Sequence, residues 1–254
     1  MTVRIGHASG DENGKTTGGA AGDQTGKEVC IRLWYLNKKL WVLLRCKDPQ
    51  KRLLIAEAME KACANSHIGY DQNQRDSLFN AVKGLCFDPS KVTKKVETDC
   101  SALVRVCIAY AYGKDLVGNI RTVTEPAALV ATGEFEKLSS AKYTESSDYL
   151  MAGDILCTPV SGHTVVVLDN GAKTPTEKVC HVKVCVLKKG DKGSQVKALQ
   201  TLLIGNNCSC GEWGADGDFG SGTESAVRKF QSRNRLTLDG VAGSETWNKL
   251  LGVK

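Results

Sequence analysis

The pattern of the chain changes at residues 187–193, and that break decides what it can fold into. The run Leu187-Lys188-Lys189-Gly190-Asp191-Lys192-Gly193 is polar and glycine-bearing, as domain junctions are. Beyond it, three short segments carry apolar residues at helical spacing: Val196, Leu199 and Leu203; Ala226, Val227 and Phe230; Trp247, Leu250 and Leu251. A repeated turn joins them. Asp216-Gly217, Gly220-Ser221 and Thr223 recur as Asp239-Gly240, Gly243-Ser244 and Thr246. Each block is a glycine turn running into a serine at a helix start, and Ser221 with Glu224 fits a capping box. A small three-helix domain is expected over 187–254, behind a larger domain over 1–186. A chain of 254 residues is long enough for both.

Ahead of the break the reading is α+β. Residues 6–28 are rich in Gly, Thr and Asp and read as irregular loop. Residues 29–35 and 40–45 read as strands flanking Leu36-Asn37-Lys38-Lys39. Residues 51–64 carry strong helix formers with an apolar stripe. Leu103, Val104, Cys107, Ile108 and Ala111 recur at helical spacing, predicting a helix over 100–112. Strands are expected at 154–158, 163–168 and 179–187. A helix followed by antiparallel strands suits an α+β domain.

Composition narrows the function classes. The formal net charge of +6 is modest; it favours an anionic surface such as a bacterial wall and does not require nucleic acid. No stretch approaches the roughly 20 apolar residues of a membrane span, so no membrane insertion is expected. The opening residues MTVRIGHASGDENG lack an apolar core, so no secretory leader is read there. The 11 cysteines are odd in number and sit mostly singly in apolar runs, which suits buried free thiols better than a disulfide framework. Cys208 and Cys210 are too close for an unstrained disulfide with each other and lack further zinc ligands nearby. Phe230 and Trp247 read as core, and Trp213 as an exposed contact.

Cys100 stands apart from the other cysteines. It follows Thr98-Asp99 and opens the most regular helix of the chain, where a helix N-terminus and a nearby imidazole would lower its pKa toward the reactive thiolate. His163, at the mouth of an apolar strand, is the candidate base. His181, on the expected next strand, is the candidate orienter of its ring. His7 and His67 read as surface or structural residues. Cys107 and Cys63 read as core.

These residues resemble the NlpC-type papain-like cysteine peptidases. The nucleophile motif is Asp99-Cys100-Ser101-Ala102-Leu103-Val104, the Gly-Asp strand is Gly153-Asp154-Ile155-Leu156, and the histidine strand runs from Gly162-His163 to Asn170-Gly171. The resemblance implies a helix packed on an antiparallel sheet and a catalytic set of Cys100, His163 and His181, with Asp169 as fallback orienter. It also implies a substrate pocket formed by Asp99, Ser101 and Tyr70. Residues 1–65 fall outside the family motif. The run GDKGSQVKALQTLL, then DGDFGSGTESAVRKFQ, then LDGVAGSETWNKLL resembles the small peptidoglycan-binding domain, with residues 206–213 inserted after its first helix.

Together the two resemblances imply a peptidoglycan hydrolase that needs no metal or organic cofactor. It would be an endopeptidase cutting the stem peptide between D-glutamate and the diamino acid. An N-acetylmuramoyl-L-alanine amidase with the same Cys/His pair is the alternative, and a non-catalytic wall-binding protein is a rival of another class. With no leader read, the chain looks like a phage lysin made in the cytoplasm and acting on the wall.

Overall fold

The computed structural model describes residues 2–38, 41–158, 160, 162–174 and 185–252. The chain forms two compact units, residues 1–179 and 180–254. The first unit contains β1 (Arg4–Ala8), β2 (Val29–Leu33), β3 (Val42–Cys46), α1 (Pro49–Cys63), β4 (Ile68–Tyr70), α2 (Ser77–Val82), β5 (Val96–Thr98), α3 (Cys100–Tyr112), α4 (Glu125–Ala131), β6 (Phe135–Leu138), α5 (Ala141–Thr144), β7 (Ile155–Thr158) and β8 (His163–Val167). The second contains α6 (Ser194–Gly205), α7 (Ser221–Arg233) and α8 (Ser244–Leu250).

Six strands form one sheet in the order β2-β1-β8-β7-β3-β6, antiparallel throughout. Alternation along each strand divides its side chains between two cores. Leu44, Cys46, Ile155, Cys157 and Val166 pack with α1 and α3, while Ile5, Trp41, Leu43, Leu156, Val165 and Val167 form the other core. Covering on both faces explains why the β8 sequence is a continuous apolar run rather than an alternating one. The fold is thus α+β with an antiparallel sheet, as expected.

Capping residues set the two long helices. Asp48 accepts hydrogen bonds from the Gln50 and Lys51 N–H groups, with Pro49 in the first turn of α1. Asp99 caps α3 by accepting the Ala102 N–H, and Gly113 ends it in the left-handed conformation at φ 67°. Residues 100–109 of α3 are all buried, as for an interior helix. Gly153 is required by space, since a Cβ there would lie 1.8 Å from the Arg52 carbonyl oxygen. The next residue, Asp154, is fully buried; it takes a bidentate Arg45 pair and the Met151 N–H.

One expectation needs correction, at the start of the chain. Residues 6–8 are not loop, because β1 occupies an interior position of the sheet. Strands β2 and β3, consecutive in sequence, are not sheet neighbours. Of the strand expected at 179–187, residues 179–184 lie outside the described residues, and Leu187 bridges Ala242 within the second unit.

The second unit packs its three helices around Val196, Leu199, Leu203, Phe219, Val227, Phe230 and Trp247. Cys208 and Cys210 are buried free thiols. The sequence repeat corresponds to a repeated hydrogen-bond clamp. The Gln200 side chain donates to Asp216, to the Asp218 carbonyl and to Thr223, and accepts the Gly217 N–H. The Gln231 side chain does the same with Asp239, the Val241 carbonyl, Thr246 and the Gly240 N–H. Ser221 is not a cap. Gly220 holds that position with no side-chain bond, and Glu224 pairs with Lys189 and Arg228 instead.

Two predictions follow from these buried polar groups. Gln231→Leu strands the buried Thr246 hydroxyl and Gly240 N–H and should cost about 2–4 kcal/mol in the stability of the second unit, read by denaturant unfolding. Burial pushes the Glu97 carboxyl up to about 7, aided by Glu28, Asp71 and Glu12 and opposed by the Gly22 N–H. A raised carboxyl contributes stability below its ordinary pKa and loses it as pH rises through the folded value. Wild type should therefore lose thermal stability between pH 6 and pH 8 relative to Glu97→Gln, in paired melts at those pH values.

Candidate active site

Cys100 is the first residue of α3, and its thiol meets the mouth of β8. The sulfur lies 3.8 Å from the Gly162 carbonyl oxygen, and the Thr164 and Ser101 N–H groups are directed at it. The two β8 contacts come from the residues on either side of His163. Thr158 Oγ1 bonds both the N–H and the carbonyl of His163, so those groups face β7. The Gly162 N–H also bonds the Thr158 carbonyl, whereas the Gly162 carbonyl and the Thr164 N–H face the opposite edge. Strand β1 pairs with β8 only at Val166 and Val167, which leaves that edge free for the head of α3. The Cys100 thiol and the His163 ring share no hydrogen bond among the described residues; they meet through the backbone around residue 163.

The partner of His163 is His7. Their ring nitrogens, His163 Nε2 and His7 Nδ1, are 3.3 Å apart, with the rings edge to face at 5.4 Å between centroids. The other nitrogen of His7 lies 3.6 Å from the sulfur of Cys30, its cross-strand neighbour. Trp41 lies near the His163 ring at 6.4 Å between centroids. His7 is only 3% exposed, so its reading as a surface residue is corrected. Among the described residues, the strand beside β8 on the side away from β7 comes from the N-terminus. Alternation of Val3, Ile5 and His7 was the signal that could have found it.

The other expected orienters stand elsewhere. Asp169 accepts bonds from the Arg4 backbone and guanidinium and does not reach His163, which corrects its fallback role. His181 lies outside the described residues. His67 bonds Asn65 on the surface.

Burial dominates the electrostatics. It pushes the Cys100 thiol up to about 12, helped by the negative charges of Asp99 and Glu125 and opposed by the Thr164 and Ser101 N–H groups. His163 is lowered to about 4 by burial and then by Arg32. His7 is lowered to about 4 by burial, His163 and Arg32. The expected thiolate is therefore corrected. A residue only 4% exposed loses more from desolvation than a helix N-terminus returns, and the resting pair is neutral. Glu125 is fully buried; its Oε1 accepts the Thr164 hydroxyl at 2.8 Å, and its Oε2 has no partner. Burial and Asp99 push its carboxyl up to about 8 against the Thr164 bond.

Tyr70, Asp99 and Ser101 gather at the same helix head. Parallel pairing of β4 with β5 sets Tyr70 opposite Thr98 and so closes a long sequence gap. The Tyr70 hydroxyl accepts from Gln72 at 3.0 Å and is pushed up to about 12 by burial and then by Cys100. Arg75, which no sequence pattern marks, occupies the Asp99 carboxylate at 2.6 Å. It also donates to Ser101 Oγ at 2.9 Å, to the Ile120 carbonyl and to Asn119. Among the described residues, no group of three or more His, Cys, Asp or Glu side chains is arranged to hold a metal ion. In the second unit a groove of about 490 Å³ is lined by Cys210, Trp213, Asp216, Asp218 and Thr223. Trp213 is 79% exposed there.

Comparisons with known proteins agree with the division into two units. Residues 192–250 match the family described as "Putative peptidoglycan binding domain". The chain is 41% identical over 68 residues to the N-acetylmuramoyl-L-alanine amidase CwlL of Bacillus licheniformis, covering 27% of this chain and 19% of that protein. It is 37% identical over 71 residues to the zinc D-Ala-D-Ala carboxypeptidase of Streptomyces albus G, covering 28% of each. The chain thus spans less than a third of the length of either relative. Among solved structures, a Burkholderia AP3 phage endolysin is 36% identical over 28% of this chain and 26% of that chain, with a TM-score of 0.26. The larger match is to the endolysin-like domain family, over residues 5–174. That match takes in more than half of the sequence, including Cys100, His163 and His7, and the chain belongs to the endolysin-like domain family.

Proposed function

We propose that the chain hydrolyses an amide of peptidoglycan, with Cys100 as nucleophile, His163 as base and His7 as the residue that orients His163. The observation that carries this reading is the Cys100 sulfur lodged at the Gly162–Thr164 edge of β8, around the very residue whose ring pairs with His7. A helix head set against a histidine strand supports a papain-like reading of the site. The role first expected of His181 falls to His7.

The reaction starts from the neutral pair. Substrate binding brings the thiol and imidazole together, since catalytic hydrogen bonds tighten in the substrate complex. His163 takes the thiol proton as the sulfur attacks the amide carbon, and backbone N–H groups at the head of α3 hold the oxyanion. His163 then protonates the leaving amine as the C–N bond breaks. Water, giving a proton to His163, releases the acyl group and restores the thiol. Asp99, Ser101 and Tyr70 line the substrate side, with Arg75 already neutralising Asp99. The second unit holds the wall, with Trp213 and its groove as the contact surface.

Resemblance to NlpC-type peptidases favours the bond between D-glutamate and the diamino acid. The amidase reading is favoured by the name of a relative, CwlL. Mass spectrometry of digested walls separates them: a new amine on the diamino acid supports the endopeptidase, and one on L-alanine supports the amidase. Cys100→Ala should lower wall turnover by at least about 1,000-fold. Turnover at the wild-type rate in that variant removes the mechanism.

The pH profile offers an independent check. Activity should fall in acid as His163 gains a proton near pH 4. It should also fall in alkali as Glu125 ionises near pH 8 and adds negative charge beside Cys100. Glu125→Gln should abolish the alkaline fall in kcat/KM. Because the Glu125 pKa is raised, its contribution to stability is lost as pH rises through about 8, so the same variant should also melt higher than wild type at pH 9.

A further inference from the structure

The hydrogen-bond chain that starts at His163 does not stop at His7. It ends on a second thiol, Cys30, half-buried on β2 and directly opposite His7 in the sheet. Its sulfur is 3.6 Å from His7 Nε2, while His7 Nδ1 is 3.3 Å from His163 Nε2. Other charged or titratable groups face this pair. Arg32 lies on the same strand and acts on both imidazoles, Asp23 acts on Cys30, and Cys63 at the end of α1 receives the His7 backbone N–H. None of these offers an acceptor to His7 Nε2, which leaves the Cys30 sulfur as the terminal group of the chain among the described residues.

A neutral imidazole carries one N–H, so the chain runs in one of two directions. If the Cys30 S–H donates to His7, then His7 Nδ1–H donates to His163 Nε2. The His163 proton then sits on Nδ1, and the ring has no free nitrogen to act as base. If the chain runs the other way, His163 Nε2–H donates to His7 Nδ1, and His7 Nε2–H donates to the Cys30 sulfur. His163 Nδ1 is then unprotonated and able to take the Cys100 proton. Only the second direction supports catalysis.

We propose that Cys30 is a positioning residue of the active site: its sulfur accepts the His7 Nε2–H and, through His7, holds the proton of His163 on Nε2. This rests on the reading of Cys100 and His163 as nucleophile and base. Partners of a catalytic or ligating histidine commonly act in this way, by fixing tautomer and ring orientation. Cys30 touches no reacting atom, and no bond to it is made or broken.

The test compares wild type, Cys30→Ala, Cys30→Ser and Cys100→Ala as full-length chains, by turnover of purified walls and by 15N NMR of the imidazoles. In wild type the His7 proton is expected on Nε2. Cys30→Ala should mix the His7 tautomers and lower kcat about tenfold with KM unchanged. Cys30→Ser keeps an acceptor and should stay within about twofold of wild type. Thermal melts within a few degrees of wild type exclude unfolding as the cause. A wild-type His7 protonated on Nδ1, a full-speed Cys30→Ala, or a Cys30→Ser as slow as Cys30→Ala would each overturn the proposal. Cys100→Ala separates the two readings. If it is inactive while Cys30→Ala runs at full speed, only the Cys30 role fails; if it is active, the nucleophile assignment itself fails.

Discussion

Strand β8 is covered on both faces, and its free edge at Gly162–Thr164 is the attachment point of everything else at the site. Val165 and Val167 pack into one core and Val166 into the other, so the strand is held without slack. Its backbone groups then divide by simple alternation. Those of His163 turn to Thr158 on β7, and the Gly162 carbonyl and Thr164 N–H turn outward to Cys100. A one-residue slip in register would exchange the two sets and carry His163 to the opposite face. The placement of the thiol is therefore a property of the sheet register more than of the helix that bears it.

That placement has an electrostatic cost. Burial outweighs the helix N-terminus and the directed N–H groups, so thiol and imidazole rest in their neutral forms. The surroundings reinforce this. Arg32 disfavours a positive imidazole, while Asp99 and Glu125 disfavour a negative sulfur. A buried carboxyl with one unpartnered oxygen, as in Glu125, costs stability. It lies near enough to Cys100 for its negative charge to raise that thiol.

The second unit works on another principle. Two turns that share the Asp-Gly, Gly-Ser and Thr pattern are each clamped by a glutamine of the preceding helix, through an equivalent set of donors and acceptors. Polar satisfaction rather than a large apolar core fixes the turns, which suits a domain this small. The inserted turn carries Trp213, which stands exposed at the groove beside the first clamp.

Much was legible before any coordinates. The break at 187–193, helix α3 with its first residue, the histidine strand and the three C-terminal helices all follow from local rules: period, caps and turn residues. The repeat Asp-Gly with Gly-Ser and Thr was visible too, although the clamp glutamines behind it were not. Tertiary structure alone decided which strand lies beside which. β1 comes to β8 from the far end of the chain, and pairing between distant strands leaves no local periodicity to read. His7 entered the site by that route, and Arg75 and Glu125 by side-chain contacts between segments distant in sequence. The ionisation of Cys100 was decided in the same way, because desolvation depends on what covers a group and not on which residues flank it in sequence.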